Sequence, residues 1–332
     1  MVDKQHEPEH APHDAPADSP AAPAHDDGHD GGHSGGHDPF DAGHLIGHVK
    51  DAIYFDVPRL LSKDGKIYIP QVRDVSEPIV EVKTGFAPID DMVEPLDMKV
   101  TKFMVLEVIG AIVVAIIFLR LAKLVRSGSK PVGKFWNFFE AMLLFLRDDV
   151  ARPAIGKHDA DRFLPFLWTI FFFVLSCNLL GMVPWAGSPT GALATTGMLA
   201  MITFGAVFLA GSKKMGVVGF WKNQVPHMEL PFVIALVLIP GIFVIEVAGL
   251  FIKHFVLAVR LLANMMAGHL VLGVIIAFIA ASAASYACII VIPASVLGAT
   301  ALSCLELFVA FLQAYIFTFL TALFIGMAVH SH

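Results

Sequence analysis

In the last third of this sequence, "RLLANMMAGH" carries an arginine, an asparagine and a histidine: Arg260, Asn264 and His269. Further on, "ELFVAFLQAYIFTFL" carries Glu306 and Gln313. Both stretches lie in nearly unbroken apolar sequence. Beyond Glu229 the chain has four more Asp, Glu, Lys or Arg residues: Glu246, Lys253, Arg260 and Glu306. A charge at the centre of a membrane-spanning helix costs about 2.5–3.5 kcal/mol on insertion scales, so each of these needs a partner or a purpose. A histidine and a glutamate at one depth can pass protons, because their surroundings readily bring both into the working pH range. An arginine cannot join such a relay, since its guanidinium stays protonated. It can hold a passing carboxylate ionised instead: at about 4 Å and an effective dielectric near 20 the attraction is roughly 4 kcal/mol, or about three pKa units. The chain offers no mobile acid opposite Arg260, so the moving acid belongs to another protein.

The plainer reading of such residues is an ion-paired helix packed against its neighbours. It suits Glu246 and Lys253, near the cytoplasmic surface, better than Arg260, which has apolar residues on both sides. Glu246, Lys253 and Arg260 are spaced by seven and fall within about 40° on a helix, and Asn264 extends the stripe. Glu306 and Gln313 are also seven apart and share a face. The expected topology makes the two helices antiparallel. With His269 level with Glu306, Arg260 falls opposite about position 315 on its partner, within a helical turn of Gln313. One alignment then creates two polar layers, His269 with Glu306 and Arg260 with Gln313. His269 itself lies about 180° around its helix from Arg260, so the two need not share a cavity. A lone histidine on an apolar helix is usually structural, but an acid at matching depth favours the relay.

The elements that hold these residues follow from composition. Of 332 residues, 56% are hydrophobic and 16% charged, against roughly 25% charged in soluble domains. The mean hydropathy is +0.70. Whole segments lack a polar face, so their solvent is lipid. No basic stripe points to nucleic acid. Cys177, Cys288 and Cys304 lie in apolar segments without metal-ligand spacing and read as buried thiols.

Residues 1–48, rich in His, Asp, Gly, Ala and Pro, carry too little apolar surface to order and form a solvated tail. The tail has no apolar signal-peptide core. Residues 49–98 make a small extramembrane segment, where Asp64-Gly65 beside alternating apolar residues suggests a short hairpin. The membrane domain covers 99–332. Its first span starts near Phe103 and is followed by Arg120, Lys123, Arg126, Lys130 and Lys134. That basic end is cytoplasmic under the positive-inside rule, with the tail outside. "FWNFFEAMLLFLRDD" is short and flanked by charge, as an interfacial amphipathic helix would be. Spans follow at about 163–183 and 193–210, the latter ending at Lys213 and Lys214. The tracts at 231–280 and 286–329 exceed the roughly 20 residues of one crossing. Each is two spans or one long tilted helix, with Pro240 and Pro293 as candidate kinks.

These residues resemble a family: subunit a of the F-type ATP synthases. "RLLANMMAGH" and "ELFVAFLQAYIFTFL" carry the resemblance, with "CNLLGMVPW", "GKFWNFFEAMLLF" and the lysine-rich loops in support, over roughly residues 100–330. It implies a non-catalytic stator subunit that forms two proton half-channels against a rotating c-ring and couples proton flow to rotation. Arg260 would face the ring's essential carboxylate. Asn264, His269, Glu306 and Gln313 would lie along or beside the path, and Glu246 toward the cytoplasmic side. The fold implied is an all-α polytopic membrane protein: five membrane-embedded helices plus one amphipathic interfacial helix, the last two long and strongly tilted. Implied partners are the c-subunit ring, peripheral-stalk b-type subunits, other ATP synthase subunits and the lipid bilayer, with no cofactor or metal. The expected location is the bacterial inner (plasma) membrane, ahead of the mitochondrial inner membrane, with the C-terminus cytoplasmic. Two departures stand out. The histidine follows the Arg–Asn motif and the acid sits on the last helix, as in mitochondrial-type relatives, whereas some bacterial relatives have the reverse. The His-rich tail is outside the family pattern. A secondary metal-ion transporter fed by that tail is the rival, and it predicts internal repeats and a midplane cluster of acids or histidines. No repeat is found.

Overall fold

The computed structural model describes residues 51–56, 66–71, 100–126, 133–183, 186–224, 232–283 and 285–330. The tail expected at 1–48 and the Asp64-Gly65 turn lie outside them. Strand β1 (Tyr54–Asp56) pairs antiparallel with β2 (Lys66–Tyr68), Tyr54 opposite Tyr68. A hairpin is therefore present, but its partner strand lies ten residues upstream of Lys66 rather than across a two-residue Asp-Gly turn.

Among the described residues eight α-helices follow: α1 (Lys102–Arg126), α2 (Lys134–Phe145), α3 (Arg152–Ile155), α4 (Ala160–Gly181), α5 (Leu193–Met215), α6 (Val217–Lys222), α7 (Phe232–Ser282) and α8 (Cys288–Val329). Five of them, α1, α4, α5, α7 and α8, are long and apolar enough to cross a membrane. The chain is an all-α polytopic membrane protein.

The two long tracts are single helices of 51 and 42 residues. At 1.5 Å per residue they measure about 76 and 63 Å, twice the hydrocarbon thickness of roughly 30 Å. Pro240 and Pro293 sit inside them without ending either one. The Pro240-Gly241 pair and the charges of Glu246, Lys253 and Arg260 all lie inside α7, and none of them ends it.

Helix α2 passes through a π-helical turn (Leu146–Ala151) into α3. Its charged side carries Arg147, Asp148 and Arg152, with Asp148 2.7 Å from Arg152 and 3.0 Å from Arg147. Its apolar side buries Leu146, Val150, Ala151 and Ile155 completely. This segment, expected as an interfacial helix, is amphipathic and docks on α4 and α8. The end of α8 is pinned there twice. His330 Nε2 lies 2.8 Å from the Ile155 carbonyl, and a Cβ on Gly326 would collide with the Ala154 carbonyl. At the same end Lys214 of α5 donates to Asp159, just before α4, at 2.9 Å. The Lys214 ammonium holds the Asp159 carboxyl below its ordinary value. That tie is complete at neutral pH and is lost only as the pH falls through the lowered value.

Candidate functional site

Antiparallel packing of α7 on α8 sets the site. Two contacts fix the register: Glu306 touches Gly268, and the rings of His254 and Phe324 lie 5.1 Å apart. The paired numbers sum to 574 and 578. Arg260 is therefore level with 314–318 on α8, within about a helical turn of Gln313.

The buried face of α8 reads Glu306, Ala310, Gln313, Ala314, Phe317 and onward, the i, i+4, i+7 spacing of one helix face. Glu306 is 6% exposed and Gln313 4%, so both acid and amide point into the bundle rather than toward lipid. On α7 the buried face is Leu250, His254, Leu257, Ala258, Leu261 and Met265. Arg260 sits half-buried at the edge of this seam, while Lys253 and Asn264 are exposed and Glu246 is half-buried. Among the described residues Arg260 makes no ion pair or hydrogen bond. Its guanidinium thus borders the open face of α7 (Ala263, Asn264, Ala267) with no carboxylate of its own chain in contact.

Glu306 and His269 meet differently. The carboxyl group of Glu306 lies against the backbone of Gly268, the residue before His269. Glu306 Oε1 and His269 Nε2 are both buried, and both lack a hydrogen-bond partner. Two buried polar atoms without partners thus stand at one level of the bundle. Gly268 makes the approach possible: any Cβ there would occupy the space of the carboxyl group.

A buried polar chain, not singled out from the sequence, reaches the same level. Asn178 of α4 donates through Nδ2 to the Ala310 carbonyl of α8 at 3.2 Å. It accepts at Oδ1 from Thr190 at 2.8 Å, and Thr190 lies 3.0 Å from the Ser188 hydroxyl. Ala310 is one turn after Glu306. The chain Ser188–Thr190–Asn178 therefore runs from the 3₁₀ turn Pro189–Gly191 to the helix surface beside Glu306. Its signal was an Asn inside an apolar span, in "SCNLLG". His254 was also passed over. It is 4% exposed, with Nδ1 2.9 Å from the Leu250 carbonyl, its ring packed edge-on against Phe204 at 5.3 Å, and Nε2 unpartnered.

The structure thus brings Glu306 to the His269 turn and levels Gln313 with Arg260. It leaves Glu246 three to four turns from Arg260 along α7. Among the described residues no three His, Cys, Asp or Glu side chains stand close enough to hold a metal, so the midplane cluster that a metal-ion transporter needs is not found there.

Comparison with known proteins is direct. The family model described as "ATP synthase A chain" matches residues 104–326. "ATP synthase subunit a" of Myxococcus xanthus is 41% identical over 244 residues, 71% of this chain and 76% of its own length. That of an Anaeromyxobacter species (strain Fw109-5) is 36% identical over 310 residues, 88% of this chain and 73% of its own. That of Chloroherpeton thalassium is 39% identical over 240 residues, 70% and 67% of the two chains. With its arginine, its His–Glu level and its two double-length helices on one packed seam, this chain belongs to the ATP synthase A chain family.

Proposed function

We propose that the chain is the proton-translocating stator subunit of an ATP synthase membrane sector and forms two proton half-channels against a rotating ring of c subunits. It is not a catalyst by itself. The observation that carries this reading is the division of labour along α7. His269 stands at the level of a buried acid, whereas Arg260 borders an open face and has no acid of its own chain in contact among the described residues.

Protons enter from the outside at the level of Glu306 and His269, where the Ser188–Thr190–Asn178 chain ends. Gly326 and His330, on the far end of α8, are packed on the amphipathic segment that carries the charged cytoplasmic cluster. Twenty residues separate Glu306 from Gly326, about 30 Å along the helix, or one hydrocarbon thickness. The ring's carboxylate takes the proton from the relay and rotates away. On its return it meets Arg260, which holds it ionised after its proton leaves toward Glu246 and the cytoplasm. Asn264 and Gln313 orient water and the guanidinium at that crossing. Peripheral-stalk b-type subunits hold the chain against the torque. The setting is a bacterial inner membrane, with the N-terminus outside and the C-terminus cytoplasmic.

Cysteines placed at Ala263 and Ala267, on the open face beside Asn264, test the ring contact, with Cys288 and Cys304 replaced by Ser. Oxidation of the assembled complex is expected to cross-link both positions to cysteines on the outer helix of a c subunit. Cross-links to a peripheral-stalk subunit alone would overturn the assignment of this face.

A further inference from the structure

A groove of about 380 Å³ runs between α1 and α4, walled by Ala111, Ala115 and Phe118 on one side and Pro165, Trp168 and Phe173 on the other. Its few polar groups are already satisfied inside the protein. Trp168 Nε1 donates to the Leu143 carbonyl at 3.3 Å, and the Thr169 hydroxyl donates to the Pro165 carbonyl at 2.8 Å. What the groove presents is hydrocarbon, so a polar solute gains nothing there and an acyl chain does.

The groove has a charged mouth. Helices α1 and α4 are antiparallel: Gly110 packs on Leu180 and Cys177, and the rings of Phe118 and Phe172 lie 4.8 Å apart. The same register puts Arg126 level with about residue 164, one turn or less from Arg162. Arg126 follows Ala115 by eleven residues and Arg162 precedes Thr169 by seven, so each lies within about 20° of a groove-lining residue on its own helix. Both arginines are exposed, and among the described residues neither has an ion-pair partner. Two arginines thus stand at one level at the basic end of the apolar groove.

We propose that this groove is a binding site for an anionic phospholipid, one acyl chain lying along Ala111–Phe118 and the phosphate held between Arg126 and Arg162. Basic residues at a membrane surface each strengthen anionic-lipid binding, and arginine forks match phosphate oxygens. The inference rests on the membrane placement of α1 and α4, not on the proton-path reading. Ala111 and Ala115, four apart, are also a seat for a neighbouring helix, and that occupant is an outcome of the test.

The purified complex is reconstituted into phosphatidylcholine vesicles containing either phosphatidylglycerol or phosphatidylcholine with a photoactivatable acyl chain. After irradiation, labelled positions are mapped by mass spectrometry, with the outward face of α1 (Ile112, Val113) as the internal reference. Groove residues are expected to take the phosphatidylglycerol label roughly thirtyfold over the phosphatidylcholine label, the order set by two basic side chains. Arg126→Ala with Arg162→Ala should erase that preference, and Ala115→Trp should remove groove labelling by both lipids while the reference stays labelled. Equal labelling by the two lipids in the unaltered complex would overturn the site, as would a groove cross-linked to a partner polypeptide. Proton pumping is not the readout, so failure here leaves the proton-path reading standing.

Discussion

The carboxyl group of Glu306 rests on the backbone of Gly268, one residue before His269. That contact fixes the depth of the only acid in the last helix and sets it beside a histidine whose Nε2 has no partner. A side chain at position 268 would hold the carboxyl group away from this place.

Gly268→Ala is therefore expected to act on the acid rather than on the fold. Alanine is about 1 kcal/mol better than glycine in a helix interior, so the helix itself gains. The displaced group is the far end of a flexible side chain, which can swing aside. Assembly, judged by recovery of the intact complex, should be unchanged, while ATP-driven proton pumping falls roughly tenfold or more, as misplaced reacting groups commonly cause. Full pumping would show that the Glu306 position is not critical.

Asn178→Leu removes the brace between α4 and α8 and leaves the Thr190 hydroxyl without its acceptor. Interhelical hydrogen bonds in membranes contribute about 0.6–2 kcal/mol. A loss of that size is expected in the denaturant resistance of the subunit within the complex, with Asn178→Gln intermediate. An unaltered midpoint for the leucine variant would mean that the brace adds nothing to stability.

If His269 and Glu306 share protons, their titration belongs to the pair and not to either residue. Single replacements by alanine should each slow proton entry strongly, and the double variant should lose little more than the worse single one. The exchange His269→Glu with Glu306→His should retain more flux than either half of it. Additive losses, or an exchange no better than its worse half, would remove the relay.

Much of this site was legible in the sequence because lipid makes polar residues conspicuous. Arg260, Glu306 and Gln313 stand out where charge and amide groups are costly, and the seven-residue spacings give their faces. The antiparallel alignment drawn from the His269–Glu306 level agrees with the register set by Gly268–Glu306 and His254–Phe324. Hydropathy could not say whether 231–280 was one helix or two, since the run stays apolar past the length of one crossing and its one internal proline can kink a helix without ending it. Asn178 was harder to read: its partners are a 3₁₀-turn threonine and a helix carbonyl far away in sequence, and no periodicity links them. His254 escaped because no acid on α8 stands at its level, where the residue it meets is Phe324. The offset strand pairing of β1 and β2 escaped for another reason. A turn dipeptide marks where a chain can reverse, and the pairing is decided by which side chains find partners, here Tyr54 and Tyr68 with ring centroids 5.8 Å apart.

The role of Arg260 is tested most directly by ATP-driven acidification of inverted membrane vesicles carrying the assembled complex. A permanently charged fork that keeps the passing carboxylate ionised has no substitute in alanine, and lysine lacks both the fork and the fixed charge. Pumping is expected to vanish in Arg260→Ala and to be severely reduced in Arg260→Lys, with the complex still assembled and its ATP hydrolysis measurable in detergent. Near-normal acidification by the alanine variant would contradict the account.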